Sequence, residues 1–74
     1  MTVFYDEING EIINVDHIQR VVDRYRDYQT MYIYFSEKNW IALKYKTRKD
    51  FDNAFNAILE AMKKRERIEM RAAG

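Results

Sequence analysis

The chain predicts an α+β domain, an antiparallel sheet of four or five strands covered on one face by a long C-terminal helix. Three observations carry this. Asn9-Gly10 sits between two apolar segments. Residues 31–45 place aromatic and branched residues on either side of a polar tetrapeptide. Beyond Thr47, apolar residues recur at helical spacing behind a capping signal. The 74 residues form a single domain, β-rich over 1–46 and helical over about 48–72, because chains divide only well above this size.

The elements follow in order. Asn-Gly suits a type I′ turn, in which both central residues take φ > 0. A two-residue loop pairs Ile8 with Glu11, Asp6 with Ile13 and Phe4 with Val15, giving strands at 3–8 and 11–15. Residues 16–26 allow two readings: Ile18, Val21, Val22 and Tyr25 fall at helical spacing behind Asp16, yet the stretch also alternates. Its β-rich neighbours favour a turn at 16–18 and a strand at 20–25, with a short helix as the alternative. Residues 31–35 and 40–45 are strands joined by Ser-Glu-Lys-Asn. Thr47 with Asp50 resembles a capping box. Phe51, Phe55, Ile58, Leu59 and Met62 then line one helical stripe. The segment from Lys63 to Arg71 extends the helix into solvent through local ion pairs, and 72–74 fray. Lys64, Arg67 and Arg71 offer a basic stripe there as an alternative, and Ile68 and Met70 leave room for a helix–helix dimer contact.

Period-two alternation assigns the sheet faces. Met31, Ile33 and Phe35 join Ile41, Leu43 and Tyr45 on one side. With Val15 and one of Val21 or Val22, that side meets the helix. Tyr32, Tyr34, Trp40, Ala42 and Lys44 take the other, and no segment of the chain remains to cover them. An exposed patch of that composition marks a binding surface.

Composition excludes several classes of function. There is no cysteine, hence no disulfide scaffold, thiol nucleophile or Cys-ligated zinc. No apolar run approaches the roughly 20 residues of a membrane span, and the first five residues lead into acidic ones, unlike a signal peptide. A cytoplasmic protein without membrane contact is expected. Charge is graded along the chain. Residues 1–19 hold four acidic and no basic side chains, residues 20–49 eight basic against three acidic, and residues 50–74 five of each. The middle segment therefore attracts anionic partners.

Nothing converges on catalysis. His17, the only histidine, can ligate a metal or act as a base with Asp16, but a turn residue capping a carbonyl is the ordinary role at such a position. Asp6 and Glu7 point to opposite strand faces, and Asp50 and Asp52 diverge around a helix. No phosphate loop, nucleophile elbow or zinc-protease motif occurs, and one covered sheet face leaves no deep pocket. A non-enzyme without metal or cofactor is expected.

The run Ile8-Asn9-Gly10-Glu11, then Ile13-Asn14-Val15-Asp16-His17-Ile18, a β pair and a terminal helix resembles the FlbD-like small bacterial proteins over about residues 3–58. Proline is missing from the Asn-x-Asp step, glycine from the second turn, and the helix is longer and more basic. The resemblance implies a small β-rich, non-catalytic accessory protein. The same hairpin–sheet–helix order occurs among small phage-encoded proteins that block a host factor.

Tyr32, Tyr34, Trp40 and Lys44, ringed by Arg20, Arg24, Arg26, Lys46, Arg48 and Lys49, form the candidate site. Tyr, Trp and Arg dominate protein contacts. The expectation is therefore a protein that regulates or inhibits a macromolecular partner, such as an anti-CRISPR-like inhibitor of a host complex, with homodimerisation through the same side chains as a variant. The alternative is single-stranded nucleic-acid binding, in which bases stack on rings while cations hold phosphates.

Overall fold

The computed structural model describes the backbone of residues 2–73 and side chains as far as residue 64. It is α+β. Strands β1 (Val3–Asp6) and β2 (Glu11–Asn14) form a hairpin. A 3₁₀ turn (Val15–His17) leads to β3 (Arg20–Arg24), a single helical turn α1 (Tyr25–Tyr28), β4 (Thr30–Tyr34), β5 (Trp40–Lys44) and the terminal helix α2 (Arg48–Ala73).

The strands form two antiparallel sheets, β1-β2 and β3-β4-β5, where one sheet of four or five was expected. The break falls at the 3₁₀ turn. Its cap is Asn14, whose side chain accepts the Asp16 N–H at 3.0 Å, and Asp16 in turn accepts the Thr2 N–H at 3.1 Å. The chain is thereby redirected before β3 begins, and Val15 turns inward to full burial.

The hairpin register also differs from expectation. Phe4 lies opposite Ile13 and Asp6 opposite Glu11, so the loop is residues 7–10 and not Asn9-Gly10 alone. Asp6 is the cause. Its Oδ1 accepts the N–H groups of Ile8 (3.0 Å) and Asn9 (3.3 Å), which bends the chain two residues early. A slip of two leaves each side chain on its expected face. Gly10 closes the loop at φ +68°, where a side chain would be strained.

Residues 16–26 follow the turn-and-strand reading, with the 3₁₀ turn at Val15–His17 and β3 at Arg20–Arg24, and helix begins only at Tyr25. The strand ends where Asp23 Oδ1 accepts the Tyr25 N–H (3.0 Å), and Tyr25 starts α1 instead of ending β3. Gln29, left-handed at φ 53°, terminates α1, and its carbonyl accepts the Tyr45 N–H at 3.0 Å. The 36–39 turn forms as expected, with Asn39 N–H on Ser36 Oγ at 3.1 Å.

Helix α2 starts at the expected cap, Asp50 N–H donating to Thr47 Oγ1 at 3.1 Å. Phe51 and Ile58 are fully buried, with Ala54, Phe55, Ala61 and Met62 packed against the same cluster. Leu59 is half-buried beside that stripe, because its direction is about 80° from Phe51 around the helix. Across from them lie Ile13, Val15, Ile18, Met31, Ile33, Leu43 and Tyr45, all buried. Phe51 is the hub, its ring 5.1 Å from Tyr25, 5.9 Å from Tyr45 and 5.4 Å from Phe55. Val21, not Val22, faces this core. Arg67, Ile68, Met70 and Arg71, read as a basic stripe and a dimer contact, lie outside the described side chains.

Candidate binding face

The register of β3-β4-β5 arranges the outer face in three rows. Arg20, Tyr34 and Trp40 lie side by side, then Val22, Tyr32 and Ala42, then Arg24, Thr30 and Lys44. Residues directly opposite share a face, so the inner face receives Met31, Ile33 and Leu43, which the core buries. Sequence alternation thus places Tyr32, Tyr34, Trp40 and Lys44 together on the outer face as expected, with Arg20 and Arg24 on the flanking strand.

The rings are packed on one another. Tyr32 meets Trp40 edge-on at 5.6 Å, and Tyr34 tilts against Trp40 at 6.1 Å. The Arg20 guanidinium caps the Tyr34 ring at 4.2 Å, within cation–π range. Both tyrosines are half-buried by these contacts, whereas Trp40 remains 49% exposed. Thr30 is buried, its hydroxyl donating to the Tyr28 carbonyl at 2.7 Å.

Of the remaining basic residues, Arg26 is exposed on α1 and Lys46 is exposed just after β5. Lys49 is exposed in the first turn of α2. Arg48 does not join the ring. It lies on the core side, 5.3 Å from the Tyr25 and Phe51 rings, and pairs with Asp52 (3.1 Å) and Asp23 (3.8 Å). Strand alternation explains this: Asp23 belongs to the inner set, and Arg48 follows it.

Two features escaped the sequence. The first is a polar staple between the hairpin turn and β5. Asp6, only 4% exposed, accepts the Tyr45 hydroxyl at 2.6 Å and Asn9 Nδ2 at 2.8 Å. Asn9 also donates to the Lys44 carbonyl (3.1 Å) and accepts the Lys44 N–H (3.3 Å). Burial, reinforced by the bond and charge of Asp6, pushes the Tyr45 phenol well above the usual tyrosine range. Beside this staple lies an open cleft of about 460 Å³ between the Asn9 turn, Tyr28 and Lys46. The second is the outer face of the hairpin, where Val3, Tyr5 and Ile12 are 50%, 57% and 72% exposed. Alternation against Phe4, Asp6 and Ile13 was the available signal.

His17 is exposed at the end of the 3₁₀ turn. Among the described residues no group of three or more His, Cys, Asp or Glu side chains is placed to hold a metal, and no helix is long and apolar enough to cross a membrane. No protein-family model, curated protein or solved structure matches the chain, so nothing from those comparisons bears on the FlbD-like resemblance.

Proposed function

We propose that this chain is a non-catalytic protein-binding domain that regulates or inhibits a macromolecular partner through the outer face of β3-β4-β5. The observation that supports it most is the condition of the three rings. A strand of bases needs free ring faces on which to stack. Here Tyr34 is covered by Arg20 on one contact and Trp40 on another, and Tyr32 is engaged by Trp40. That arrangement suits an anchor more than a platform. Trp40 stands half-exposed on two supporting tyrosines with cations at the rim, which is the composition of protein hot spots. Arg20, Arg24 and Lys44 favour an acidic partner surface. Obstruction of a host complex by a phage-type protein is one use of such a face.

Trp40 is the only tryptophan and reports on the face directly. Its fluorescence should stay flat when the protein is titrated with single-stranded DNA, RNA and duplex at two salt concentrations. A protein captured by the wild type should be lost on Trp40→Ala, and substitution of Arg20 or Lys44 should weaken it less. Salt-dependent quenching by single strands, with losses spread over several Lys and Arg positions, would overturn this in favour of nucleic-acid binding.

A further inference from the structure

Strand β5 is an edge, with β4 on one side and, among the described residues, no strand on the other. Its backbone polarity follows from the bonds at its ends. Tyr45 N–H donates to Gln29 across the ladder, and Phe35 N–H donates to Asn39. These fix the pairs of odd-numbered β5 residues as the hydrogen-bonded ones. Trp40, Ala42 and Lys44 therefore turn their N–H and C=O groups away from β4. At Lys44 both outward groups are taken by the Asn9 side-chain amide, which occupies the place of a neighbouring strand. At Trp40 and Ala42, among the described residues, no partner takes them. The usual blunting devices of an edge, proline and a bulge, are absent from these positions.

We infer that β5 accepts a short acidic segment of a partner protein as an added strand, hydrogen-bonded to Trp40 and Ala42 and ending at Asn9. This rests on the protein-binding role of the same face and names the form of its ligand. An added strand puts alternate side chains on the outer face. Ala42 is small and exposed, which leaves room beside Trp40 for one large apolar side chain. The residue on the Lys44 side meets an ammonium group, and the Arg20 and Arg24 rows extend the positive field across the sheet. Residues 20–49, with eight basic side chains against three acidic, supply the charge complement for an acidic segment.

The test is selection of random decapeptides displayed on phage against the purified protein. Enriched sequences should be acidic with an apolar residue at alternate positions. Ala42→Pro removes one outward N–H and no ladder bond, a substitution edge strands tolerate. It should weaken the selected peptides by about tenfold or more while the far-ultraviolet circular dichroism is kept. N-methylation of alternate peptide residues makes the same deletion from the ligand side, without altering the protein. The Ala42 amide should gain hydrogen-exchange protection on binding. Peptides lost on Trp40→Ala but indifferent to Ala42→Pro and to N-methylation would overturn strand addition and leave the face intact. Peptides indifferent to Trp40→Ala as well would overturn both. Failure to enrich any peptide, or occupation of the edge by a second copy of this chain, would overturn the inference too.

Discussion

The hairpin and the three-stranded sheet are made of strands of similar length, yet they are attached to the domain by different forces. The sheet is held by apolar burial: Met31, Ile33 and Leu43 are at or below 1% exposure against Phe51 and Ile58. The hairpin contributes Ile13 and part of Phe4 to that core, but its turn is fixed by Asp6 and Asn9 reaching Tyr45 and Lys44. Their outer faces differ as well. The sheet shows aromatic rings among cations, while the hairpin shows Val3, Tyr5 and Ile12 in a segment without a single Lys or Arg. Apolar burial is spread over many contacts and degrades gradually, whereas four hydrogen bonds accepted by Asp6 concentrate stability on one carboxylate.

That contrast is open to direct attack. Asp6→Ala leaves the buried Tyr45 hydroxyl and three turn donors without their acceptor and should cost about 3 kcal/mol in denaturant unfolding. Amide exchange should rise first in β1 and β2, and a loss below about 1 kcal/mol would mean the staple is decorative. Tyr45→Phe keeps the ring and should cost about 1–2 kcal/mol. It should also change the alkaline limb. An unfolded tyrosine ionises near pH 10, while the folded Tyr45 resists until higher pH. Wild-type stability is thus unaffected by this group below about pH 10 and falls above it by up to roughly 1.4 kcal/mol per pH unit. Tyr45→Phe should flatten that fall, and an unchanged slope would show that the phenol titrates alike in both states.

Trp40→Ala, on the outward side of the sheet, should cost less than about 1 kcal/mol despite removing the largest side chain. A collapse would show that the three rings belong to a core. Smallest of all, Gln29→Gly relieves a left-handed residue at the end of α1 and should shift the melting midpoint upward by a gain within about 1 kcal/mol. A clear loss would point to the weak bond from Gln29 Nε2 to the Lys46 carbonyl (3.5 Å).

Periodic and capping signals in the sequence revealed most of the local structure, but not the turns steered by a single side chain. The Thr47 cap, the 36–39 turn, the β4 and β5 faces and the stripe from Phe51 to Met62 depend on neighbours within a few residues, and alternation or helical period reveals them. The hairpin register did not, because a two-residue Asn-Gly loop and a four-residue loop steered by Asp6 present the same dipeptide. The division into two sheets depends on the Asn14 cap, a single side chain competing with continued pairing. Arg48 stands among Lys46 and Lys49 in sequence, whereas its partners are Phe51 and Asp52 one turn along α2 and Asp23 and Tyr25 from the distant β3–α1 junction. The Asp6–Tyr45 bond spans 39 residues, and no periodicity announces a contact of that separation.

The Asn9 amide also sets a chemical lifetime. Asparagine before glycine is prone to deamidation, since a following residue without Cβ lets its backbone nitrogen close on the side-chain carbonyl. Conversion to aspartate would remove the donor that Asp6 and the Lys44 carbonyl share and set a second carboxylate where Nδ2 now lies 2.8 Å from Asp6 Oδ2. An aged preparation would then contain an acidic charge variant with a loosened hairpin, separable by ion exchange from intact protein. The Lys44 carbonyl would lose its donor in the same event, whereas the Lys44 N–H would keep a side-chain oxygen as its acceptor, so the edge of β5 would gain one free outward carbonyl.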